Sequence, residues 1–204
     1  EFGLQQPEIE VRVLSRDGEP DLEREKIDLA LIRVRTETFD EQSDDVPLLR
    51  VGDRLFFSGT DDAHGTELWV SDGTAAGTHM VVDLYPVDTY PNSSYPVNLT
   101  SFDDALYFST ETPDTGRELW KSDGTAGGTV LVKDIHPGSG SSSPGGSSYQ
   151  ALSGFLVVNG KLYFSADDGV AGQELWRTDG TAAGTVLVED ILPGPESSAP
   201  ASLA

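Results

Sequence analysis

Two clusters of carboxylates could supply the oxygen ligands of a divalent cation. The clusters are Asp61, Asp62 and Glu67, and Asp167, Asp168 and Glu174. Ca²⁺ binds several carboxylate or carbonyl oxygens at about 2.3 to 2.6 Å. The spacing is not that of an EF-hand loop, and the equivalent stretch from Thr112 to Asp114 has no aspartate pair. Calcium is therefore a candidate cofactor, and its site would be weaker or absent in that middle stretch.

Three further aspartates, Asp72, Asp123 and Asp179, each stand directly before Gly-Thr. The full segment reads Asp-Gly-Thr-x-x-Gly-Thr, and its glycines permit the positive φ angles of a tight turn. Aspartate and threonine side chains in such turns bond the nearby backbone amides. We therefore expect these three aspartates to form turns rather than to bind a ligand.

Three tryptophans, Trp69, Trp120 and Trp176, recur at equivalent places in the chain. They could be aromatic platforms for sugar rings. A binding residue is needed only where the ligand lies, whereas a residue that fills the space between repeated units is needed in every unit. Their recurrence therefore favours a structural role in the core.

Tyr85, Tyr90 and Tyr95 cluster in a segment, residues 85–95, that differs between the repeated units. Tyrosine supplies contact area and a hydrogen bond at low entropic cost, which suits a partner-binding surface. The alternative is that the three rings pack the loop itself. This segment is the candidate contact surface of the chain.

No group of residues predicts catalysis. The three histidines, His64, His79 and His136, fall at non-equivalent positions without metal-ligand spacing. The sequence has no cysteine, no Gly-x-Ser-x-Gly elbow and no phosphate-binding glycine loop. Paired carboxylates carry little weight in so acidic a chain, and the serine-rich residues 139–148 are interpreted as a flexible loop.

The charge balance is strongly acidic, with 35 Asp and Glu against 13 Lys and Arg and a net charge of -22. Such a charge repels nucleic acids and anionic membranes at long range. It indicates either a solvated surface or cation binding. No apolar run is long enough to span a bilayer, and the start, Glu1-Phe2, lacks the pattern of a signal peptide. We expect a processed or excised product with no nucleic-acid partner and no membrane span.

The elements that must position these residues repeat along the chain. Glu-Leu-Trp-x-x-Asp-Gly-Thr begins at Glu67, Glu118 and Glu174, at intervals of roughly 51 to 56 residues, the size of a propeller blade. Each unit contains four strand-sized pieces. The pieces are residues 47–51, 55–58, 67–71 and 79–84; 97–102, 106–109, 118–122 and 130–135; and 152–158, 162–165, 174–178 and 186–191. Four antiparallel strands per repeat make one propeller blade.

Turn residues separate the first two pieces of every unit. They are Gly52-Asp53, Asp103-Asp104 and Asn159-Gly160, and Asn-Gly between apolar runs is a strong hairpin signal. Residues 1–45 lie outside the repeat, and their period-two alternation predicts strands followed by an acidic linker. The chain therefore divides into an N-terminal β segment, 1–45, and a repeat region, 46–204, that ends at the start of a fourth unit.

At these motifs the sequence resembles the bacterial ELWxxDGT-repeat family, whose members occur as tandem arrays in large secreted or surface-associated proteins. The resemblance covers residues 46–198 in three copies. Each copy keeps Glu-Leu-Trp, Asp-Gly-Thr and a second Gly-Thr. The resemblance implies a propeller-like or otherwise stacked β-repeat module and implies no single activity.

We therefore expect an all-β, β-propeller-type fold of four-stranded antiparallel blades, of which three are visible. Closure of the ring would require a longer protein, a contribution from residues 1–45, or a second chain that makes six blades. The expected role is a non-catalytic binding or structural module outside the bacterial cell or on its surface, in contact with a protein or a polysaccharide. The alternatives are part of a polysaccharide-degrading enzyme, or an accessory subunit of a larger complex.

Overall fold

The computed structural model describes residues 30–32, 46–87, 92–146 and 154–200, and every helix or strand assigned among them is a β-strand. The strands are β1 (Ala30–Ile32), β2 (Val46–Val51), β3 (Arg54–Asp61), β4 (Gly65–Ser71), β5 (His79–Val82), β6 (Val97–Phe102), β7 (Ala105–Thr112), β8 (Gly116–Ser122), β9 (Val130–Lys133), β10 (Phe155–Val158), β11 (Lys161–Asp167), β12 (Gln173–Thr178) and β13 (Val186–Glu189). These residues include no helix able to cross a lipid bilayer. Of the N-terminal segment only β1 is described, and the other strands expected there lie outside the described residues.

The strands form three antiparallel sheets in chain order. The first sheet runs β1-β2-β3-β4-β5, the second β6-β7-β8-β9 and the third β10-β11-β12-β13. The all-β prediction with four antiparallel strands per repeat is thus confirmed, and β1 adds a fifth strand to the first sheet. The three predicted turns between first and second strands are confirmed. In two of them both central residues have positive φ, as at Asn159 (50°) and Gly160 (68°).

The fourth strand is shorter than the sequence predicts, since β5 ends at Val82 and not at residue 84. The amide of Leu84 donates to a glutamate side chain at 3.2 Å, and the amide of Tyr85 donates to Asp83 at 3.0 Å. These amides are occupied by side chains and cannot extend the ladder. The strand therefore ends where the loop to the next unit begins.

A β-bulge recurs where the third strand meets the fourth. In the first sheet Leu68 pairs with Val82 and Trp69 with Met80, so Val81 has no partner of its own. The same shift occurs beside Trp120 and beside Trp176. A bulge bends the strand and redirects the extra side chain.

Each sheet has two distinct faces. We call the side that carries the second-strand phenylalanine (Phe57, Phe108 or Phe164) and the tryptophan the front face, and the opposite side the back face. The back face of the first sheet and the front face of the second form one buried cluster: Phe56, Leu68, Val70 and Val81 with Leu106 and Phe108. The back face of the second sheet and the front face of the third form another: Phe102, Tyr107, Leu119, Val132 and Ile135 with Phe155, Leu162, Phe164, Ala166 and Trp176. The sheets therefore stack front to back in chain order.

The tryptophans lie in this packing. Trp176 belongs to the cluster between the second and third sheets, and Trp120 packs against the cluster between the first and second. Trp69 lies on the front face of the first sheet, where it packs with Phe57 and Leu48. The Nε1 atoms of all three rings are buried without a hydrogen-bond partner. Their role in these contacts is to fill space between apolar side chains.

The Asp-Gly-Thr turn of one sheet rests on the back face of the preceding sheet. Lys121 Nζ of the second sheet donates to the carbonyl of Gly180 at 3.0 Å, and a Cβ at Gly180 would collide with the hydroxyl of Tyr107. One interface earlier, Arg54 Nη1 donates to the carbonyl of Asp123 at 2.7 Å. The glycine of this turn is thus required by close approach as well as by its positive φ.

Gly180→Ala should destabilise the chain more than Gly73→Ala. The two glycines have φ angles of 88° and 89°, so alanine brings the same backbone strain, about 1 to 3 kcal/mol, at both positions. Only at Gly180 would the methyl group meet Tyr107, and overpacking adds about 1 to 3 kcal/mol. Urea unfolding of the dilute protein, followed by tryptophan fluorescence, measures both losses. Equal losses would contradict the close approach of the second and third sheets.

Candidate functional site

The glutamates of the three Glu-Leu-Trp motifs are fully buried, although two of them are the candidate metal ligands. Glu67 pairs across the sheet with Gly59, Glu118 with Thr110 and Glu174 with Ala166. A small residue therefore lies opposite each carboxylate and leaves room for it. A buried carboxylate is costly unless several donors satisfy it.

Those donors come from the loop that leaves the sheet. Both oxygens of Glu118 accept hydrogen bonds: the amides of Ile135, His136 and Ser142 donate at 3.1 Å each, and Ser142 Oγ donates at 2.5 Å. Four donors thus converge on one carboxylate. Charge-assisted bonds of this kind are stronger than neutral ones and offset much of the cost of burial.

The same arrangement occurs in the other two units. Glu67 accepts from the amides of Leu84 (3.2 Å) and Ser94 (2.8 Å) and from Ser94 Oγ (2.5 Å). Glu174 accepts from the amide of Ile191 (3.2 Å) and from both the amide (2.8 Å) and the hydroxyl of Ser198. Each glutamate therefore fixes the start and the end of the loop that follows its own sheet.

A second serine, directly before the first, completes the fixation. Ser93 Oγ accepts from the amide of Thr66 at 2.9 Å, and Ser141 Oγ accepts from that of Arg117 at 3.0 Å. In the third unit Ser197 Oγ accepts from the amide of Gln173 at 2.9 Å. We call these serine pairs, with the two residues after each, the exit segments. They are residues 93–96, 141–144 and 197–200.

Sequence reasoning missed the exit segments. Residues 139–148 are interpreted from composition as a flexible loop, whereas Ser142 is fully buried. Three hydrogen bonds join its amide and hydroxyl to Arg117 and Glu118. The available signal is a Ser-Ser pair at a regular distance: its second serine follows the glutamate by 27, 24 and 24 residues. A search for polar residues that repeat in register with the glutamate would have found it.

The aspartates of the candidate calcium clusters bond their own turns. Asp61 Oδ1 accepts from the amides of Ala63 (2.8 Å) and His64 (2.7 Å), and Asp168 Oδ1 accepts from those of Val170 (2.9 Å) and Ala171 (2.8 Å). Thr112 stands at the equivalent place in the middle unit. There its hydroxyl accepts from the amide of Thr115 at 3.3 Å, so a threonine replaces the aspartate in the turn.

The remaining members of these clusters do not join the glutamates. Asp62 is exposed, and Asp167 Oδ1 accepts from the amide of Gly169 at 2.7 Å. Glu67 and Glu174 face the exit segments instead. In the part of the chain that the structure describes, no group of three or more His, Asp or Glu side chains could hold a metal ion.

The aspartates of the Asp-Gly-Thr turns accept two hydrogen bonds each from the threonine two residues later. Asp72 Oδ1 lies 2.9 Å from the amide and 2.7 Å from the hydroxyl of Thr74, and Asp123 and Asp179 make the same contacts. These bonds lower the pKa of all three aspartates. A Cβ at Gly77 would collide with the carboxylate of Asp72, which explains the second glycine of the motif.

The candidate contact tyrosines are only partly described. Tyr85 and Tyr95 are half-buried, and Tyr90 lies outside the described residues. Tyr95 belongs to the first exit segment, where its amide donates to the carbonyl of Thr66 at 3.2 Å. Its backbone is therefore fixed by the sheet.

The three buried glutamates differ in the direction in which their pKa is shifted. Burial raises the pKa of Glu67 and of Glu118, because the hydrogen bonds do not fully replace the lost water. Burial also acts to raise the pKa of Glu174, but the hydrogen bonds from Ser198 and the loop amides outweigh it, and the pKa is lowered. Among these carboxylates, only Glu174 lies in a sheet whose back face packs against no described sheet.

Glu118→Gln should destabilise the chain by about 1 to 3 kcal/mol, because an NH₂ group would face backbone donors. Since burial raises the pKa of Glu118, the folded chain holds this proton more tightly than the unfolded chain, whose glutamate pKa is about 4.3. The stability from this group is complete below that pH and decreases as the pH rises through the folded-state pKa. The loss caused by glutamine should therefore be smaller at pH 7 than at pH 4.

Urea unfolding at a series of pH values measures this loss. Glu196→Gln is the matched control, because Glu196 is exposed and should change stability by less than about 0.5 kcal/mol at every pH. A loss at position 118 that grows toward neutral pH would contradict the assigned direction of the pKa.

Protein-family models, curated proteins and solved structures were all compared with this chain, and none of them matches it. The functional assignment therefore depends on the contacts described above.

Proposed function

We propose that this chain is a non-catalytic, propeller-type repeat module of the ELWxxDGT kind, which holds variable loops for contact with a protein or a polysaccharide outside the bacterial cell. One observation carries the proposal. The polar side chains that recur in all three units, the glutamates, the serine pairs and the turn aspartates, bond the backbone of their own unit. They build a scaffold and leave function to the residues that differ between units.

The stacking of the sheets supports a propeller-type arrangement. Each unit is a four-stranded antiparallel meander, and its front face covers the back face of the unit before it. The first strands lie close together at one side of the stack, since β2 contacts β6 and β6 contacts β10. Blades of a propeller also place their first strands together around an axis.

The loops between units are the proposed contact surface. Rigid elements commonly present variable loops to a partner. Both ends of such a loop are held by one glutamate, as at Leu84 and Ser94 on Glu67. Tyr85 and Tyr95 flank the middle of that loop, and the net charge of -22 makes anionic partners unfavourable.

Two measurements test this function. The first is retention of the chain on insoluble polysaccharides, and the second is release of new reducing ends from them. We expect retention on at least one polysaccharide, or on a bacterial surface protein, without release of reducing ends. Combined Tyr85→Ala and Tyr95→Ala substitutions should weaken retention at least about tenfold, because tyrosine rings dominate such contacts. Alanine fits the backbone at position 95, since Ala199 has φ 48° at the equivalent place and Tyr95 has 49°.

Tyr163→Ala is the matched control, because Tyr163 is also half-buried but lies on β11, away from the loop. Retention that is equally weakened in both variants would remove the tyrosine loop from the proposal. Steady release of reducing ends by the purified chain would replace the proposal with the enzyme alternative.

Calcium binding has its own test. Because Glu67 and Glu174 are satisfied by the exit segments and Asp61 and Asp168 by their turns, we expect the melting temperature to be the same in excess calcium and in excess chelator. Differential scanning calorimetry measures it, with magnesium as the control ion. A rise with calcium alone that Asp168→Asn abolishes would establish the metal site at the acidic clusters.

A further inference from the structure

We propose that the back face of the third sheet is a docking surface for a further sheet of the same repeat type, which the chain enters directly after Pro200. The inference goes beyond the proposed function and does not depend on it. It rests on a comparison of the third sheet with the two preceding sheets, whose back faces are covered.

Apolar side chains that are buried on the second sheet are open on the third. Val188 is 41% exposed, whereas Val132, the equivalent bulge residue, is 5% exposed. Ile191 is 56% exposed, whereas Ile135 is 4% exposed. Val132 and Ile135 are covered by the front face of the third sheet. The third sheet presents the same apolar surface without a cover among the described residues.

Polar side chains at equivalent positions on the back faces of the second and third sheets indicate which structural element would bind to the third. On the second sheet Tyr107 receives Gly180 of the next turn, and Lys121 Nζ donates to the Gly180 carbonyl at 3.0 Å. Tyr163 and Arg177 stand at the equivalent positions of the third sheet, and Arg177 is exposed. A tyrosine and a cation so placed suit another Asp-Gly-Thr turn, with a glycine against the ring and a carbonyl toward the guanidinium.

One position on the back face carries opposite charges in the second and third sheets. Lys133 of the second sheet donates to the carbonyl of Thr185 at 2.7 Å and lies 5.7 Å from the centre of the Trp176 ring. Glu189 replaces this lysine in the third sheet. A carboxylate accepts hydrogen bonds only, so a donor or a cation in the docking sheet suits this position better than a bare carbonyl.

The exit segment shows how the occupant is connected. Ala199 has φ 48°, as Tyr95 (49°) and Ser143 (47°) have in the first two exits. The amide of Ala199 donates to the carbonyl of Gln173 at 3.2 Å, the same distance at which Ser143 donates to Arg117. After Tyr95 the chain passes one proline and starts the next sheet at Val97. The third exit has the same geometry and also leads to a proline, so the occupant follows in the same polypeptide.

The test adds one further repeat unit to the full chain, directly after Pro200. A copy of residues 97–144 replaces residues 201–204, so that Pro200 precedes a valine as Pro96 does. We expect the backbone amides of Val188, Ile191 and Leu192 to exchange with deuterium at least about tenfold more slowly in the extended chain. The urea midpoint should also rise. Glu189→Lys should raise it further in the extended chain alone, because it restores the donor that Lys133 provides.

Ile191→Asp and Val170→Asp are the matched pair of variants. Both side chains are exposed in the 204-residue chain, and Val170 lies in a turn, away from the back face. We expect Ile191→Asp to remove the gain in midpoint from the extension and to leave the 204-residue chain almost unchanged, while Val170→Asp changes neither. Equal effects of Ile191→Asp in both chains, or unchanged exchange of the three amides, would overturn the proposal.

Two further outcomes are decisive. If the first extension does not fold, a copy of residues 154–200 replaces it, and failure of both copies to protect the back face counts against the proposal. Sedimentation velocity of the 204-residue chain tests the competing occupant, a second copy. Self-association that Ile191→Asp abolishes would assign the face to that copy and overturn the connection through Pro200.

Discussion

The buried carboxylate of each Glu-Leu-Trp motif is the interaction on which the rest of the architecture depends. Without water, a carboxylate requires hydrogen-bond donors, and here the amides and the hydroxyl of the loop that leaves the sheet donate to it. Because these donors lie at the start and at the end of the loop, their bonds to the glutamate fix the path of the chain. That path determines where the next sheet begins.

Stacking follows from this fixed path. Once the chain leaves at a set position, the next front face meets the preceding back face, and apolar side chains of both sheets form one cluster. Contacts between the turn glycine and the aromatic residue beneath it then set the distance between sheets. The stability of each unit is shared with its neighbours, as in other repeat proteins.

The units differ where the scaffold permits it. In the turn between β7 and β8, Thr112 takes the place of the aspartate found in the other two units. The turn requires only an acceptor for a backbone amide, and a hydroxyl supplies one. Val70, Lys121 and Arg177 share one position, and the cation at Lys121 is used to bond the neighbouring turn. Loop length and composition vary between the fixed ends. A scaffold of this kind tolerates change in its loops because the glutamate and the serines bear the constraint.

The sequence by itself determined the features that depend on neighbours in the chain. The repeat, the four strands of each unit, the two-residue turns and the Asp-Gly-Thr segments are all local patterns, and strand pairing within a unit follows from them. Only the tertiary structure decided the role of Glu67 and Glu174, which sequence reasoning grouped with nearby aspartates as metal candidates. Their partners are serines 24 to 27 residues away, brought close by the return of the loop to the third strand. Alternation along a strand shows that a side chain faces inward, but what it meets there is set by distant residues that folding brings together.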